Sequence, residues 1–471
     1  MSLLALAGTN SATGGYDIDN SCKFESDNSE YLSKTPSSAG NQKTWTFSAW
    51  VKRTELGLNT SKSAMIFGSG DTYLHFVTSD KLIANLRTGG TNFFYYSERV
   101  FRDTSAWYHF VLACDTTQST ASNRLKLYVN GVYESPTESN GYTNIAQNAN
   151  TGINSTNEHE IGKYTLDENT YAEFFSGYMA EMHLVDGTAL DHTSFGEFDE
   201  DSGIWKPKAY TGSYGTNGFY LDFKNASDLG EDQSGNNNDW TKTNISAADQ
   251  ATDTPTNNFT TFNTLRKWNQ NRISFTEGAT VVNTASGNAW TTVSNNIGVN
   301  KGKWYWEGEL YTNEGYQMFG QNPVVSTEIN INADWYLGQY ANKSAGAGYY
   351  GSGDDVYYEG GYANSSASTT GDIISVAMDC DNNKVHFAVN GVYTNSSNPV
   401  NNTNGFAMSD EYQYFAMATY IGSYAFKANF GGYTTISISS GASDADGYGT
   451  FEYAPPSGYY ALCTKNLAEY G

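Results

Sequence analysis

One pentapeptide, Val-Asn-Gly-Val-Tyr, occurs twice, at 129–133 and 389–393, each time closing an alternating strand that begins on a basic residue. Asn-Gly between two such runs is the strongest short signal for a β-hairpin, because both turn residues need a positive φ that Asn and Gly tolerate. The first copy follows Arg124-Leu125-Lys126-Leu127-Tyr128, the second Lys384-Val385-His386-Phe387-Ala388. They lie too far apart for a stacked repeat of about 20–50 residues. The pair therefore predicts the same hairpin in two sandwiches of similar architecture.

The surrounding text agrees. Thr44 to Val51 alternates large apolar with small or polar residues, and Trp107 to Ala113 is a denser apolar run suited to a sheet covered on both sides. Phe175 to Leu184, Phe219 to Phe223, Lys303 to Leu310 and Asp372 to Met378 read as further strands. Between Lys224 and Thr264 the apolar pattern collapses into Asp, Asn, Gly and Pro, which marks the domain boundary. The expected organisation is all-β: a sandwich over 1–223, a loop-rich connector over 224–264, and a second antiparallel sandwich over 265–471. Composition excludes the alternatives. With 36 Tyr, 24 Phe and 10 Trp the chain has too many aromatics to be disordered, and its 16% charged residues fall below the ~25% usual for soluble domains.

A formal charge of −24 repels nucleic acid and anionic membrane surfaces, and no basic cluster is longer than Lys52-Arg53. The apolar start, Met1 to Gly8, lacks a charged n-region and is short for a signal peptide. No run of about 18 apolar residues spans a membrane. Cys22, Cys114, Cys380 and Cys463 form no CxxC or close pair and read as small buried hydrophobes.

Several phrases resemble known families. Thr44 to Val51, Trp107-Tyr108-His109, Leu127 to Gly131, Ile161-Gly162 and Phe175 to Glu181 resemble the laminin-G-like branch of concanavalin-A-like jelly rolls. Tyr31 to Pro36, Phe101 to His109, Ser194 to Glu197, Gly215 to Phe223, Asp232 to Asn236 and Asp253 to Asn258 resemble, more narrowly, laminin-G-like proteins of tailed bacteriophages. The second region is similar to the SPRY-type sandwich, through Gly302 to Glu307, Gly371 to Ile374, Asp379, Asp381 and Val389-Asn390-Gly391. Pro455 to Leu467 is similar to closing segments of phage appendage proteins, whereas Val324 to Trp335 departs from the usual SPRY text. The resemblance implies a virion surface protein, a head fibre or decoration or a tail fibre. Its implied partners are other virion proteins, host cell-surface polysaccharide and copies of itself, with a trimer the expected oligomer.

Concanavalin-like folds also host glycoside hydrolases, which need two carboxyl groups about 5 Å apart for retention. Glu197 and Asp199, with Asp201 next, could share a strand face, but Ser194-Phe195-Gly196 and Gly203 to Pro207 place the run in a solvated loop. No GxSxG, HExxH, P-loop or CxxC motif occurs, and His75, His109, His159, His183, His192 and His386 are dispersed. A non-enzymatic role is expected, with a glycan-degrading appendage enzyme and a purely structural capsid cement as the competing readings. The likeness to laminin-G-like sandwiches makes calcium the candidate ion. Asp228, Asp232 and Asp239, with Asn236 and Asn238, could supply its oxygens, as could Asp354 and Asp355, though none has the spacing of a calcium loop. The aromatic excess suits sugar binding, since Tyr and Trp offer a flat apolar face with a polar tip. Candidates are Tyr95 and Tyr96 in Phe93-Phe94-Tyr95-Tyr96, and Tyr349, Tyr350, Tyr357 and Tyr358 around the tip Gly351 to Asp355.

Overall fold

A computed structural model describes residues 15–56, 64–88, 91–135, 145–165, 172–267, 272–285, 287, 289–311, 316–323, 336–339, 346–420, 422 and 424–471. The apolar start and the Val324 to Trp335 segment lie outside the described residues. The chain divides into two compact units, one holding 5–256 and the other 257–471.

Each unit is a sandwich of two sheets, and the two follow the same path. In the first, one sheet runs Val132–Glu134, Leu125–Val129, Trp107–Asp115, Thr44–Arg53, Gly177–Asp186, Ser21–Phe24 and Gln250–Ala251. In the second, the matching sheet runs Val392–Tyr393, Lys384–Val389, Ile373–Asp379, Lys303–Glu309, Ala425–Asn429, Val281–Thr284 and Ile273–Thr276. The facing sheets also correspond. One ends in Ala64–Ser69, Thr72–Phe76, Lys81–Thr88 and Thr91–Val100, the other in Gln317–Pro323, Ala347–Tyr350, Asp355–Tyr358 and Gly361–Asn364. Pairing is antiparallel apart from Tyr460–Ala461 against Lys303–Glu309. Among the described residues the one α-helix is Thr464–Tyr470, and no helix is long and apolar enough to cross a membrane.

The repeated pentapeptide performs the same task twice. Asn130 and Asn390 sit at φ 48° and 47°, followed by Gly131 and Gly391 at 74° and 76°, the positive pair that a two-residue hairpin turn requires. Each Asn Oδ1 also accepts a backbone N–H from the neighbouring strand, His109 at 2.7 Å and Ile373 at 2.9 Å. Any side chain on the glycines would collide with an aromatic ring, Trp205 at 2.2 Å or Tyr453 at 2.5 Å. Hydrophobic sandwiching then closes each unit. Phe47 stacks on Phe67 at 4.4 Å in the first core, and Trp306 on Phe430 at 5.5 Å in the second, each such side chain contributing ~1.5–3 kcal/mol on burial. All four cysteines are free and buried, as expected of small apolar residues.

The connector reading needs correction. Residues 224–256 are part of the first sandwich, not a spacer: Thr241–Thr243 pairs with Tyr31–Lys34, and Gln250–Ala251 pairs with Ser21–Phe24. Leu229, Trp240 and Ile245 enter its core. Composition misled because these strands are short and their loops are built from Asx turns, so sparse apolar residues are carried in polar text.

Candidate functional site

In a strand, neighbouring side chains point to opposite faces, so a run of adjacent aromatics is always divided. Tyr349 is fully buried in the second core and its hydroxyl donates to the Ser366 carbonyl at 2.7 Å, while Tyr358 packs on Phe406 at 5.0 Å. Tyr350 and Tyr357 therefore take the outer face. The first sandwich divides its run likewise: Phe93 and Tyr95 are buried, the latter donating to the Glu134 carbonyl, and Phe94 and Tyr96 face out. Of the six candidate tyrosines, Tyr95, Tyr349 and Tyr358 serve the cores and Tyr96, Tyr350 and Tyr357 take the outer faces.

Strand pairing then gathers aromatics that sequence reasoning missed. Tyr350 and Tyr357 lie 5.4 Å apart, and Tyr357 continues to Tyr336 at 5.7 Å and to Tyr362 at 5.7 Å. Trp290 meets Tyr336 at 4.8 Å and its cross-strand partner Tyr420 at 5.6 Å. Tyr316 closes the ring, 6.0 Å from Tyr350 and 5.6 Å from Tyr420. Seven aromatic rings thus form one continuous surface over a buried floor of Met318, Leu337, Ala416 and Ala418. Tyr316 and Tyr362 are 42% and 62% exposed, a large outlay of apolar area on solvent. Burial raises the Tyr350 hydroxyl to about 12 and pushes Tyr357 upward, so both stay neutral and can donate or accept.

Two glycines hold the face together. Gly348 leaves room for Leu337, which a Cβ would meet at 2.8 Å. Gly338 has φ +79°, and a Cβ there would meet the Tyr357 backbone at 2.3 Å, while its carbonyl accepts from Gly360 at 2.8 Å. Gly338→Ala is expected to cost ~1–3 kcal/mol of local strain and to lift Tyr336 from the surface. Hydrogen exchange should show the Gly360 amide losing protection while core amides of Ile373–Asp379 keep theirs; unchanged protection at Gly360 would contradict the argument.

The other candidates occupy different settings. Asp232 is buried, and its carboxylate already accepts from the Tyr220, Ser234 and Asn238 backbones and the Ser234 hydroxyl, at 2.7–2.9 Å. Asp239 accepts from the Asp232 N–H at 2.9 Å, and Asp228 pairs with Lys242 at 3.1 Å. These three do not converge into a ligating group within 4.8 Å. Asp354 accepts from Ser368 at the hairpin tip. Glu197 lies on a short hairpin strand rather than in a loop, Gly196–Phe198 against Trp205–Pro207. It shares Lys206 with Asp199, at 3.6 Å and 3.3 Å. Hydrogen bonds from Ser202, then Lys206, hold Asp199 down to about 2, the wrong direction for a general acid.

Ser48 and His109 make a buried 2.8 Å contact, but Trp205 Nε1 donates to His109 Nδ1 at 3.0 Å. That leaves the imidazole proton on Nε2, facing Ser48, so His109 cannot take the serine proton. Burial holds this imidazole neutral, with its pKa down to about 3.

Residues 26–193 match the family described as the concanavalin A-like lectin/glucanases superfamily, laminin G type. A search of curated proteins finds no match. Among solved structures, the chain is similar to the SPRY domain of human HERC1, at 16% identity and TM-score 0.27, over 36% of this chain and 96% of that one. A candidate carbohydrate-binding protein from Bacteroides ovatus is similar at 16% identity and TM-score 0.29; the match covers 48% of this chain and 58% of that protein. A heptameric SAP-like pentraxin from Limulus polyphemus is similar at 18% identity and TM-score 0.25, over 37% and 80%. The family match falls within the first sandwich, and the second sandwich repeats the first one's strand order.

Proposed function

We propose that this chain is a non-enzymatic surface protein of a tailed-phage virion that binds host polysaccharide through the aromatic face of its second sandwich. The observation that carries the reading is the seven-ring surface from Trp290 to Tyr362, partly exposed and edged by tyrosine hydroxyls. Sugar rings present apolar C–H faces ringed by hydroxyls, which such a surface matches in shape and polarity. The phage phrases in both regions support the virion setting, and the low Asp199 pKa with the blocked Ser48–His109 pair supports binding without turnover.

The chain is expected to bind a subset of bacterial surface glycans on an array and to leave them at full length. Trp290→Ala, which removes the ring touching four others, is expected to weaken binding about 30-fold, the ~2 kcal/mol of an interface hot spot. Binding that survives this change, or shortening of the glycan, would overturn the reading. Electron cryo-microscopy of whole particles places the protein on head or tail, and its absence from purified particles would exclude the virion role.

A further inference from the structure

Three of the strands that carry the aromatic face, Ala347–Tyr350, Asp355–Tyr358 and Gly361–Asn364, are the last three of their sheet. In the first sandwich the same three places are taken by Thr72–Phe76, Lys81–Thr88 and Thr91–Val100. Leu74, Leu82, Ala84, Leu86, Phe93 and Tyr95 point into that core, so Tyr73, His75, Ile83, Asn85, Phe94 and Tyr96 share the outer face. Pairing lays them in two rows, Tyr73–Asn85–Phe94 and His75–Ile83–Tyr96. Tyr73 packs edge-on to His75 at 5.0 Å, and Tyr164 joins it at 4.6 Å.

Two polar atoms on this face lack partners. His75 Nδ1 and Asn85 Oδ1 are buried with no hydrogen bond, on residues 9% and 1% exposed. The Asn85 amide cannot be turned around to relieve this, because its Nδ2 donates to the Asp71 carbonyl at 2.8 Å. A buried acceptor without a donor destabilises the fold, and a hydroxyl-bearing ligand relieves that cost. On the corresponding strands of the second sandwich Tyr350, Tyr357 and Tyr362 share their face with Asp355 and Asn364; the first sets an imidazole and an amide among its aromatics. Half-buried rings beside unfilled polar atoms are the combination that a pyranose, with its C–H face and its hydroxyls, satisfies.

We propose that this face of the first sandwich is a second carbohydrate site, with Tyr73 and Tyr96 as stacking surfaces and His75 and Asn85 as hydroxyl partners. The chain then holds two sites for a repeating polysaccharide. The inference rests on the reading of the platform as glycan-binding, and the test separates the two.

Single-repeat oligosaccharides cut from host surface polysaccharide are titrated calorimetrically into the full chain. The expected stoichiometry is two per chain, falling to one in Trp290→Ala, to one in Tyr96→Ala, and to none in the double variant. Tyr96 is half-buried and outside the core, and an unchanged melting curve for Tyr96→Ala confirms that the fold survives. His75→Phe, which keeps a ring of similar size and removes Nδ1, gives a second readout through weakened binding at the site that Trp290→Ala leaves. One site in the parent, abolished by Trp290→Ala and indifferent to Tyr96→Ala, overturns the second site and spares the platform. One site abolished by Tyr96→Ala alone does the reverse. No binding by the parent overturns both.

Discussion

Asp253→Ala is expected to remove about 3–5 kcal/mol from the first sandwich, a large part of the ~5–15 kcal/mol that holds a typical domain folded. Lys52 is fully buried, and its ammonium lies 2.6 Å from Asp253 Oδ2. Trp107 Nε1 donates to the other oxygen at 3.1 Å, and the Asp253 carbonyl accepts from Ser21 Oγ at 2.6 Å. Burial is the largest influence on Lys52 and drives its pKa down; the Asp253 charge opposes it. Without that carboxylate the buried ammonium loses its 2.6 Å ion pair, or the lysine must give up its proton to stay there. The paired change Lys52→Met with Asp253→Leu should recover most of the loss, since an apolar pair of similar volume carries no desolvation cost. Denaturant midpoints of the parent, single and double variants measure this. A single variant as stable as the parent would show that the pair contributes nothing.

That pair also shows why charge was only partly legible. Lys52-Arg53 is as long as any basic run in this acidic chain, and such charged pairs are usually exposed. Both residues are buried instead, Lys52 on Asp253 and Arg53 on Asp80 at 3.2 Å, with the Arg53 guanidinium 4.3 Å over the Phe76 ring. Their acidic partners lie 201 and 27 residues away, so no local pattern could reveal the match. The fold was legible because its signals are local: alternation in Thr44–Arg53, and a turn pair that only a few residues tolerate at 130–131 and 390–391. The aromatic face was half legible. Alternation alone would have separated Tyr350 from Tyr349, whereas Trp290 and Tyr420 reach the same surface through cross-strand register and Tyr316 and Tyr336 reach it from outside the strands.

Glu307→Gln, which changes one atom, is expected to destabilise the second sandwich by ~1–3 kcal/mol. The Glu307 side chain is fully buried and surrounded by donors. Oε1 accepts from Tyr453 N–H at 2.8 Å and from the Tyr305 hydroxyl at 2.9 Å; Oε2 accepts from Glu452 N–H at 2.9 Å and from Asn429 Nδ2 at 3.3 Å. The two backbone donors sit on different oxygens, so a Gln amide, with one acceptor, leaves one of them facing an NH2 in either orientation. Burial nevertheless raises the Glu307 pKa above its ordinary 4.5, with these hydrogen bonds opposing the shift. A protonated Glu307 has an outlet that the amide lacks: it can donate to Tyr305, whose own proton turns to Ser375 Oγ at 2.9 Å. The folded chain thus binds this proton more readily than the unfolded chain does. The group's contribution is therefore full below the unfolded pKa and falls as pH rises through the native one. The stability gap between parent and Glu307→Gln should widen on going from pH 8 to pH 5. Urea midpoints at the two values decide it, because a gap that is constant or narrows toward acid would mean that Glu307 stays ionised in the fold throughout.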